Sequence, residues 1–281
     1  MIEYIILAIL QGIFEWLPIS SSGQVMIIST NLFGIPPEEA FSLSIWLHLG
    51  TTLAILLKFW RDSINILKTL WQKEPKREVN EIKKRNWVLW ATLGTGIIAF
   101  PLYFIFKILF IDLFNAIQGD FITLFVSGLL IITGVILILT KKTFETKTLV
   151  EVPRKMIQKD SLISGLVQGT SILPGISRSG VTISTILFEK YDQDSALRLS
   201  FLMSVPVTIA SVIVDIIFGE GSVFGTLNIF TIGIIILVSF LIGYLTIDLL
   251  LRLARKINFG YFCILYGIIA FLIIIPFILI S

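Results

Sequence analysis

The sequence predicts an all-α polytopic membrane protein, with six transmembrane helices plus two re-entrant helical hairpins in an inverted-topology repeat. Composition is the first reason: of 281 residues, 56% are hydrophobic and 15% are charged, and mean hydropathy is +0.94, whereas soluble domains are about 25% charged. The second reason is a set of six apolar runs of about 20 residues. The third is a pair of shorter, broken apolar stretches that resemble each other.

This composition excludes three classes of protein, namely a soluble globular enzyme, a disordered chain and a nucleic-acid-binding protein with a basic face. Cys263 is the only cysteine, which excludes a disulfide framework and any multi-cysteine metal or redox site. Its apolar neighbours predict a packing role. The N-terminus lacks a basic region and a small-residue cleavage site, so no signal peptide is expected.

The first element, stretch 4–33, is apolar but broken by Pro18 and by the run Ser20-Ser21-Ser22-Gly23. Each arm has about 11–13 residues and reaches about 17–20 Å as a helix, which is short of a hydrocarbon core of about 30 Å. We therefore predict a re-entrant hairpin of two half-helices, which is tolerated only inside protein or against a wet cavity. A single kinked span is the alternative.

The six long apolar runs can each cross a bilayer as a helix. They show no period-2 alternation and no short even segments, which argues against a β-barrel. The predicted spans are about 38–60, 87–109, 121–140, 194–218, 226–250 and 258–280.

The connecting segments alternate in charge. Lys and Arg are concentrated in 61–86, 141–160 and 251–257, whereas 30–37, 110–119 and 219–225 have none. The positive-inside rule puts the first group in the cytoplasm and the second outside, which requires both broken stretches to re-enter and both termini to lie outside. The basic loops therefore set topology, rather than bind lipid headgroups or nucleic acid. We expect segment 61–86, which contains Trp71, along the membrane surface.

The second broken stretch, 161–190, is interrupted by Pro174-Gly175 and by Ser177-Arg178-Ser179-Gly180. An ungapped alignment of 11–23 with 168–180 has six identities in thirteen positions, where chance gives about one. Each hairpin precedes three spans, an odd number, so the two halves have opposite orientation. One integral membrane domain thus contains a first repeat at 1–140 and a second at 141–281.

Both serine-glycine turns stand just before a half-helix. A helix N-terminus offers free N–H groups and positive dipole charge, and two such ends facing each other suit a phosphate. Helix capping and close packing are the plainer interpretation of these turns. The hydroxyls expected to bind phosphate belong to Ser20, Ser21, Ser22, Ser177, Ser179 and Thr182.

Arg178 is a charge near the bilayer centre and needs an anionic partner, because its burial there costs a few kcal/mol. Glu15 in the first hairpin is the candidate. The two can form a structural ion pair, or a catalytic pair in which Arg178 clamps phosphate oxygens and Glu15 acts as a base or metal ligand. Gln11, one helical turn earlier, can orient Glu15 or line the cavity.

Two further polar residues lie inside predicted spans. His48 is the only histidine, and its apolar neighbours favour a packing residue that supports the site over a catalyst. Arg198 begins its helix, so it either reaches the cytoplasmic interface or supports Arg178 from behind.

The motifs resemble those of the bacitracin-resistance family of undecaprenyl-diphosphate phosphatases. Gln11-x-x-x-Glu15 with Pro18-Ile19-Ser20-Ser21-Ser22-Gly23 is similar to the family's (E/Q)xxxE–PxSSxG signature, and 174–182 matches PGxSRSxxT. Segments 47–51 and 200–202 also fit, so the resemblance covers the whole chain.

The resemblance implies a fold, a reaction and a cofactor. The fold would contain ten helical pieces, four of them half-length. The protein would remove the terminal phosphate from a C55 polyprenyl diphosphate. This reaction would recycle the lipid carrier for cell-wall synthesis and confer bacitracin resistance. Glu15, Ser21 and Arg178 would be catalytic, with Ser21 as the candidate nucleophile. Mg²⁺ or Ca²⁺ is implied, with Glu15 as a ligand. The setting would be the cell membrane, with catalysis near the outer face and a homodimer as one option.

The chain departs from the family at Gln24, where many members carry a histidine. Glutamine cannot take a proton or attack phosphorus, so a mechanism needing histidine there is excluded unless His48 substitutes. This favours Glu15 as base and Ser21 as nucleophile, with attack by a Glu15-activated water left open. Two alternative functions remain. One is a transporter or flippase of polyprenyl phosphate lipid, and the other is a structural subunit with a buried ion pair.

Overall fold

In the computed structural model, the chain folds into helices joined by short connections. The structure describes residues 1–71, 79–108, 120–140, 147–219, 222–256 and 259–280. Within these ranges there is no strand, only a single β-bridge between Lys147 and Tyr191. The helices are α1 (Ile2–Phe14), α2 (Ser21–Phe33), α3 (Pro37–Lys58), α4 (Trp60–Trp71), α5 (Val79–Phe106), α6 (Asp120–Thr140), α7 (Arg154–Gly169), α8 (Arg178–Phe188), α9 (Gln193–Phe218), α10 (Val223–Thr226), α11 (Ile229–Lys256) and α12 (Phe259–Ile280).

Four helices of the described chain are long and apolar enough to cross a membrane, namely α3, α5, α9 and, over Ile229–Leu253, α11. Shorter apolar stretches occupy α1, Thr123–Leu139 and Gly260–Leu272. The prediction of an all-helical membrane protein is therefore confirmed, while the count of six spans stays a prediction.

The largest difference from the predicted spans is at α5, which begins at Val79 rather than at residue 87. The early turns are polar, so hydropathy alone misses them. They are held by Lys83, a buried side chain whose Nζ lies 3.3 Å from the carbonyl oxygen of Leu149 and 2.5 Å from that of Val150. A charged side chain thus ties the start of the helix to a neighbouring segment.

Each broken stretch forms two helices, as predicted. The first break separates α1 from α2, and the second lies between α7, with its 3₁₀ turn at 170–172, and α8. Ser20 adopts a left-handed conformation at the first break, with φ of 57°, and Gly175 has φ of 108° at the second. Only glycine fits the second position, since a Cβ on Gly175 would lie 2.5 Å from the carbonyl oxygen of Val126.

Helix packing brings the two breaks together at the centre of the molecule. Helix α1 packs on α11 and α7 packs on α5, while α3 contacts α9 and α6 contacts α12. A Cβ on Gly23 would lie 2.9 Å from the backbone nitrogen of Gly175, so the first turn of α2 lies directly against the second break. Cys263 is buried and donates to the carbonyl oxygen of Pro18, which confirms its packing role.

Helix α4 is amphipathic and lies between two spans. The exposed apolar side chains of this helix lie on one face and are Trp60, Ile64, Leu67 and Leu70. On its opposite side, Asp62 pairs with Lys84 of α5 at 2.6 Å. Several predicted loops fall partly or wholly outside the described residues, namely 72–78 of the predicted surface segment, 110–119, 141–146, 220–221 and 257.

Candidate active site

Glu15 is the centre of a buried polar cluster. It directly follows α1, where its backbone N–H donates to the carbonyl oxygen of Gln11 at 3.0 Å. The Glu15 Oε2 atom accepts hydrogen bonds from Gln11 Nε2 and from Ser21 Oγ, both at 2.8 Å. Glu15 is 4% exposed and Ser21 is 6% exposed. The break between α1 and α2 thus folds the serine at the start of α2 back onto the carboxylate.

Arg178 reaches the same carboxylate from the second hairpin. Its Nη2 donates to Glu15 Oε1 in a short ion pair. Its Nη1 is buried and has no hydrogen-bond partner within the described structure. One arm of the guanidinium therefore neutralises Glu15 while the other is free to bind an anion.

His48 of α3 completes the cluster. Its Nε2 lies 3.1 Å from Glu15 Oε2 and 3.4 Å from Ser21 Oγ. Its Nδ1 lies 2.5 Å from the carbonyl oxygen of Ser44, one helical turn earlier. Its position beside Glu15 is not evident from the sequence, because a lone histidine among apolar neighbours carries no pattern that distinguishes a site from a core.

The two helix N-termini have matching serine caps. Ser20 Oγ accepts from the N–H of Gly23 at 3.3 Å, and Ser177 Oγ accepts from the N–H of Gly180 at 3.1 Å. Ser22 and Ser179 add a second hydroxyl beside each cap, 3.4 Å from Ser20 Oγ and 3.3 Å from Ser177 Oγ respectively. Equivalent positions of the two hairpins therefore build equivalent helix ends.

These residues line one cavity of about 800 Å³, counting the space at its open mouth. Glu15 and His48 line this cavity. The six serine and arginine side chains of the two turns line it as well, namely Ser20, Ser21, Ser22, Ser177, Arg178 and Ser179. It continues along hydroxyl side chains that no sequence motif singles out, which are Ser44, Thr95, Ser171, Ser204, Thr208 and Ser211. The sequence does contain a pattern for part of this lining, because Ser204, Thr208 and Ser211 of α9 follow one another at spacings of four and three residues, which places them on one face of the helix.

A family model described as Bacitracin resistance protein BacA matches residues 4–272. The chain belongs to this family.

Relatives of this BacA chain match it over nearly their whole length. A protein of Methanothrix thermoacetophila named undecaprenyl-diphosphatase is 39% identical, over 95% of this chain and 94% of the relative. Proteins of the same name from Methanococcoides burtonii and Halothermothrix orenii are 38% and 34% identical. These two matches cover 96% and 95% of this chain, and 97% and 95% of the relatives.

Four residues that the sequence places in or beside the site lie outside the cavity lining, namely Gln11, Gln24, Thr182 and Arg198. Gln24 is buried with its Nε2 3.4 Å from the carbonyl oxygen of Ile19. Thr182 lies behind Arg178, donating to its carbonyl oxygen at 2.7 Å and contacting Ser200 Oγ at 2.5 Å. The geometry therefore gives Thr182 a positioning contact in place of the predicted phosphate contact.

Of the two alternatives for Arg198, the structure contradicts the support of Arg178. The Arg198 side chain is half exposed and pairs with Asp62 of α4, with Nε 3.3 Å from Oδ2. It also lies over the ring of Phe59. Arg198 is in the first turns of α9, so it lies at the end of that helix, whereas the cavity is lined by the later turns from Ser204 onward.

A divalent cation finds few protein ligands in this BacA site. The described residues contain no group of three or more His, Cys, Asp or Glu side chains able to hold a metal. Among the described residues, Glu15 is the only carboxylate that lines the cavity, and both of its oxygens accept hydrogen bonds. This donor set fits a cation shared with a bound phosphate, as is usual for Mg²⁺, and does not fit an all-protein cage.

Proposed function

We propose that this chain is a membrane hydrolase that removes the terminal phosphate of undecaprenyl diphosphate, giving undecaprenyl phosphate and inorganic phosphate. The observation that carries this proposal is the joint hydrogen bonding of Ser21 and Arg178 to Glu15, between two capped helix N-termini. Membership of the BacA family and relatives named undecaprenyl-diphosphatase support hydrolysis over lipid transport. The reaction recycles the carrier for cell-wall synthesis and confers bacitracin resistance.

The phosphate group binds where the two helix ends meet. The backbone N–H groups of both first turns and the serine hydroxyls supply donors, and both helix dipoles favour negative charge. The free Nη1 of Arg178 supplies a charge-assisted hydrogen bond that no described protein atom accepts. Arg178 therefore stabilises the charge that builds up on the transferred phosphoryl group.

Ser21 is the nucleophile in the simplest mechanism. Its hydroxyl already donates to Glu15, so the carboxylate can take the proton as Oγ attacks the terminal phosphorus. Attack by a water that Glu15 activates uses the same base and the same phosphate contacts. Gln11 holds the carboxylate in place for either route.

A divalent cation, Mg²⁺ or Ca²⁺, is proposed to accompany the diphosphate. Glu15 and the serine hydroxyls would hold it together with phosphate oxygens, and it would supply charge neutralisation. Chelation tests this proposal, because EDTA should abolish phosphate release and excess Mg²⁺ or Ca²⁺ should restore it. Full activity in EDTA would contradict it.

The fold is proposed to be an inverted-topology repeat with six spans and two re-entrant hairpins. Exchanging the two halves maps the packing of α1 on α11 onto that of α7 on α5, and the packing of α2 on α3 onto that of α8 on α9. The pairs α3–α9 and α6–α12 map onto themselves. Such exchange is expected of two repeats that meet at a shared midplane site.

Assembly of this chain into a homodimer stays a prediction.

Catalysis is proposed at the outer face of the cell membrane. The cavity continues to Phe41, Ala99 and Ser211, which lie toward the ends of α3, α5 and α9 that precede or follow the uncharged loops. A Ser22→Cys variant on a Cys263→Ala background tests this orientation in intact cells. A membrane-impermeant thiol reagent should label it from outside, and labelling only from the cytoplasmic side would contradict the proposal.

Phosphate release tests the function directly. The purified protein in detergent should release phosphate from a polyprenyl diphosphate, and Arg178→Ala should reduce the rate at least a hundredfold. Arg198→Ala is the matched control, since it removes an arginine outside the cavity, and it should retain the rate. Equal rates for the wild type and Arg178→Ala would contradict the proposed function.

A further inference from the structure

Gln168 of α7 is a buried residue of the cavity whose side-chain amide is only half used. The side chain is 1% exposed and lines the same cavity as Glu15, Ser21 and Arg178. Its Nε2 atom donates to Thr95 Oγ1 of α5 at 3.2 Å. Its Oε1 atom is buried, and no atom of the described residues donates to it. Because a buried acceptor without a donor is costly, this oxygen favours a ligand that donates a hydrogen bond.

Thr95 determines which end of the amide is left for a ligand. Its hydroxyl has one proton, which faces the carbonyl oxygens of Ala91 at 2.8 Å and Gly165 at 3.1 Å. Toward Gln168 the hydroxyl therefore presents a lone pair, so the amide group that contacts it must be the NH₂ group. The opposite orientation would place two acceptors against each other. Oε1 is consequently the end of the amide that is available to a ligand.

The hydroxyl groups on this side of the cavity also act as acceptors. Ser171, Ser204 and Ser211 each donate to a backbone carbonyl oxygen one helical turn earlier, at 2.7, 2.7 and 3.0 Å respectively. Their protons are thus engaged, and their oxygens keep lone pairs for a ligand. The hairpin ends differ, because Arg178 Nη1 and the backbone N–H groups there are donors. The cavity therefore has a donor side, which suits phosphate, and an acceptor side that contains Gln168.

Water is the ligand whose chemistry fits the acceptor side. A fully ionised terminal phosphate has only acceptor oxygens, so the amide oxygen of Gln168 repels it. A divalent cation is drawn instead to the charged oxygens of Glu15 and of the phosphate. Water donates two hydrogen bonds, and each turnover consumes one water molecule. GTPases orient their attacking water with a glutamine side chain in the same chemical role.

The internal repeat explains why this glutamine is available. Gln168 is aligned with Gln11 of the first hairpin, which donates to Glu15 four residues later. The residue four positions after Gln168 is Ile172, which offers no side-chain acceptor. Gln11 therefore holds the base, whereas Gln168 contacts a neighbouring helix and keeps its oxygen for another reactant.

We propose, on the basis of the function proposed above, that Gln168 Oε1 binds and orients the water that attacks phosphorus. In direct attack, the water oxygen bonds to the terminal phosphorus and Glu15 takes one water proton. The bond from that phosphorus to the bridging oxygen breaks, and undecaprenyl phosphate leaves with the electron pair. Glu15 then releases its proton to solvent. The second water proton, which donates to Gln168, leaves on inorganic phosphate.

The phosphoserine route uses the same water contact in its second step. The water oxygen bonds to the phosphorus, and the bond from phosphorus to Ser21 Oγ breaks with the electron pair staying on Oγ. Oγ takes back the proton that Glu15 accepted in the first step, and both water protons leave on the released phosphate. Gln168 accepts a hydrogen bond in either route and takes no proton, so it is a positioning residue for the attacking water.

Competition between water and methanol tests this role. Methanol has a single hydroxyl proton, which its oxygen loses during attack, so none remains for Gln168. Gln168 thus favours attack by water. Gln168→Met keeps a similar length without the amide oxygen, and we expect the ratio of methyl phosphate to inorganic phosphate to rise about tenfold. The two products are measured by ³¹P NMR with a polyprenyl diphosphate in aqueous methanol.

Gln158→Met is the matched control, because Gln158 is an exposed residue of the same helix. It should keep the wild-type rate and product ratio. A purely structural role of Gln168 would lower both products equally, so an unchanged ratio in Gln168→Met would overturn the proposal. A wild-type rate of phosphate release in that variant would also overturn it.

A crystal structure of the wild type that shows ordered waters gives a second test, which covers a variant that fails to fold or a protein that does not use methanol. We expect a water within hydrogen-bond distance of Gln168 Oε1, with a further contact to a hydroxyl oxygen of the acceptor side. A cation at Oε1, or no water there, would overturn the proposal. This measurement needs no turnover. A failure of Gln168 is therefore distinguishable from a wild type that releases no phosphate, which would contradict the function itself.

Discussion

Ser20 of the first hairpin accepts a hydrogen bond from the backbone N–H of Gly175 in the second, at 3.0 Å. The same oxygen caps α2 by accepting from Gly23. A single hydroxyl therefore fixes the start of one half-helix and joins it to the break that precedes the other. The relative position of the two helix ends that we propose to bind phosphate depends on this contact, although Ser20 itself lies at a strained φ of 57°.

Ser20→Ala should reduce both stability and activity. It removes the cap and the Gly175 contact, and it retains the strained backbone, so we expect a loss of about 1–2 kcal/mol in unfolding free energy. We also expect kcat to fall at least tenfold, because the helix ends lose their alignment. Ser20→Asn should retain more of both, since asparagine caps helices and tolerates a left-handed conformation. Thermal melting in detergent and phosphate release measure the two effects, and equal behaviour of the two variants would argue against this account.

Arg178→Lys should separate charge from geometry. Lysine keeps the positive charge but loses the planar fork that pairs with Glu15 through one nitrogen and leaves Nη1 for the phosphate. We expect kcat/KM to fall by about 10²–10³-fold. Arg198→Lys makes the same chemical change outside the cavity and should stay within about twofold of the wild type. A wild-type rate for Arg178→Lys would show that a point charge is sufficient.

The sequence predicted the broken hairpins because their breaks carry residues with strong local effects. Proline, glycine and serine at 18–23 and 174–180 stop one helix and cap the next, and an arm shorter than the bilayer is evident from its length alone. The Glu15–Arg178 contact was predictable for a similar reason, since an intramembrane arginine requires an anionic partner.

Contacts between helices distant in sequence could not be predicted in the same way. His48 reaches Glu15 only because α3 packs beside the first break, and no local pattern encodes that packing. For Arg198 the sequence leaves two positions open, the cytoplasmic interface and a place behind Arg178, and only its contact with Asp62 of α4 decides between them. The polar first turns of α5 could not be predicted from hydropathy, because they are held by a contact with a segment distant in sequence.

Gly165→Ala should weaken the packing of α7 on α5. A Cβ at this position would lie 2.2 Å from the carbonyl oxygen of Ala91, so the helices must separate. Overpacking of this kind costs about 1–3 kcal/mol. Gly96→Ala is the matched control on α5, where a Cβ meets nothing within 4 Å. It should raise stability by about 0.5–1 kcal/mol, because glycine is unfavourable inside a helix. Melting temperatures that move in the same direction for both variants would contradict this prediction.

Glu189, just after α8, should make the protein less stable as pH rises. Burial raises the pKa of this carboxyl to about 8, and the nearby negative charge of Asp160 adds to the increase. The hydrogen bond that Ser164 donates to the carboxyl lowers the pKa and offsets part of this increase. Between the ordinary value near 4.5 and about 8, the folded chain holds a proton that the unfolded chain has lost. Unfolding is then increasingly favoured as pH rises through this window.

Glu189→Gln should remove this part of the pH dependence, since the amide resembles the protonated acid and does not titrate. We expect its melting temperature in detergent to exceed that of the wild type at pH 8–9 and to approach it near pH 5. Glu151→Gln neutralises an exposed carboxylate in the loop before α7 and should leave the pH dependence unchanged. If wild type and Glu189→Gln melted in parallel from pH 5 to 9, Glu189 would be ionised in the folded protein, and the Asp160 region would have to accommodate both charges.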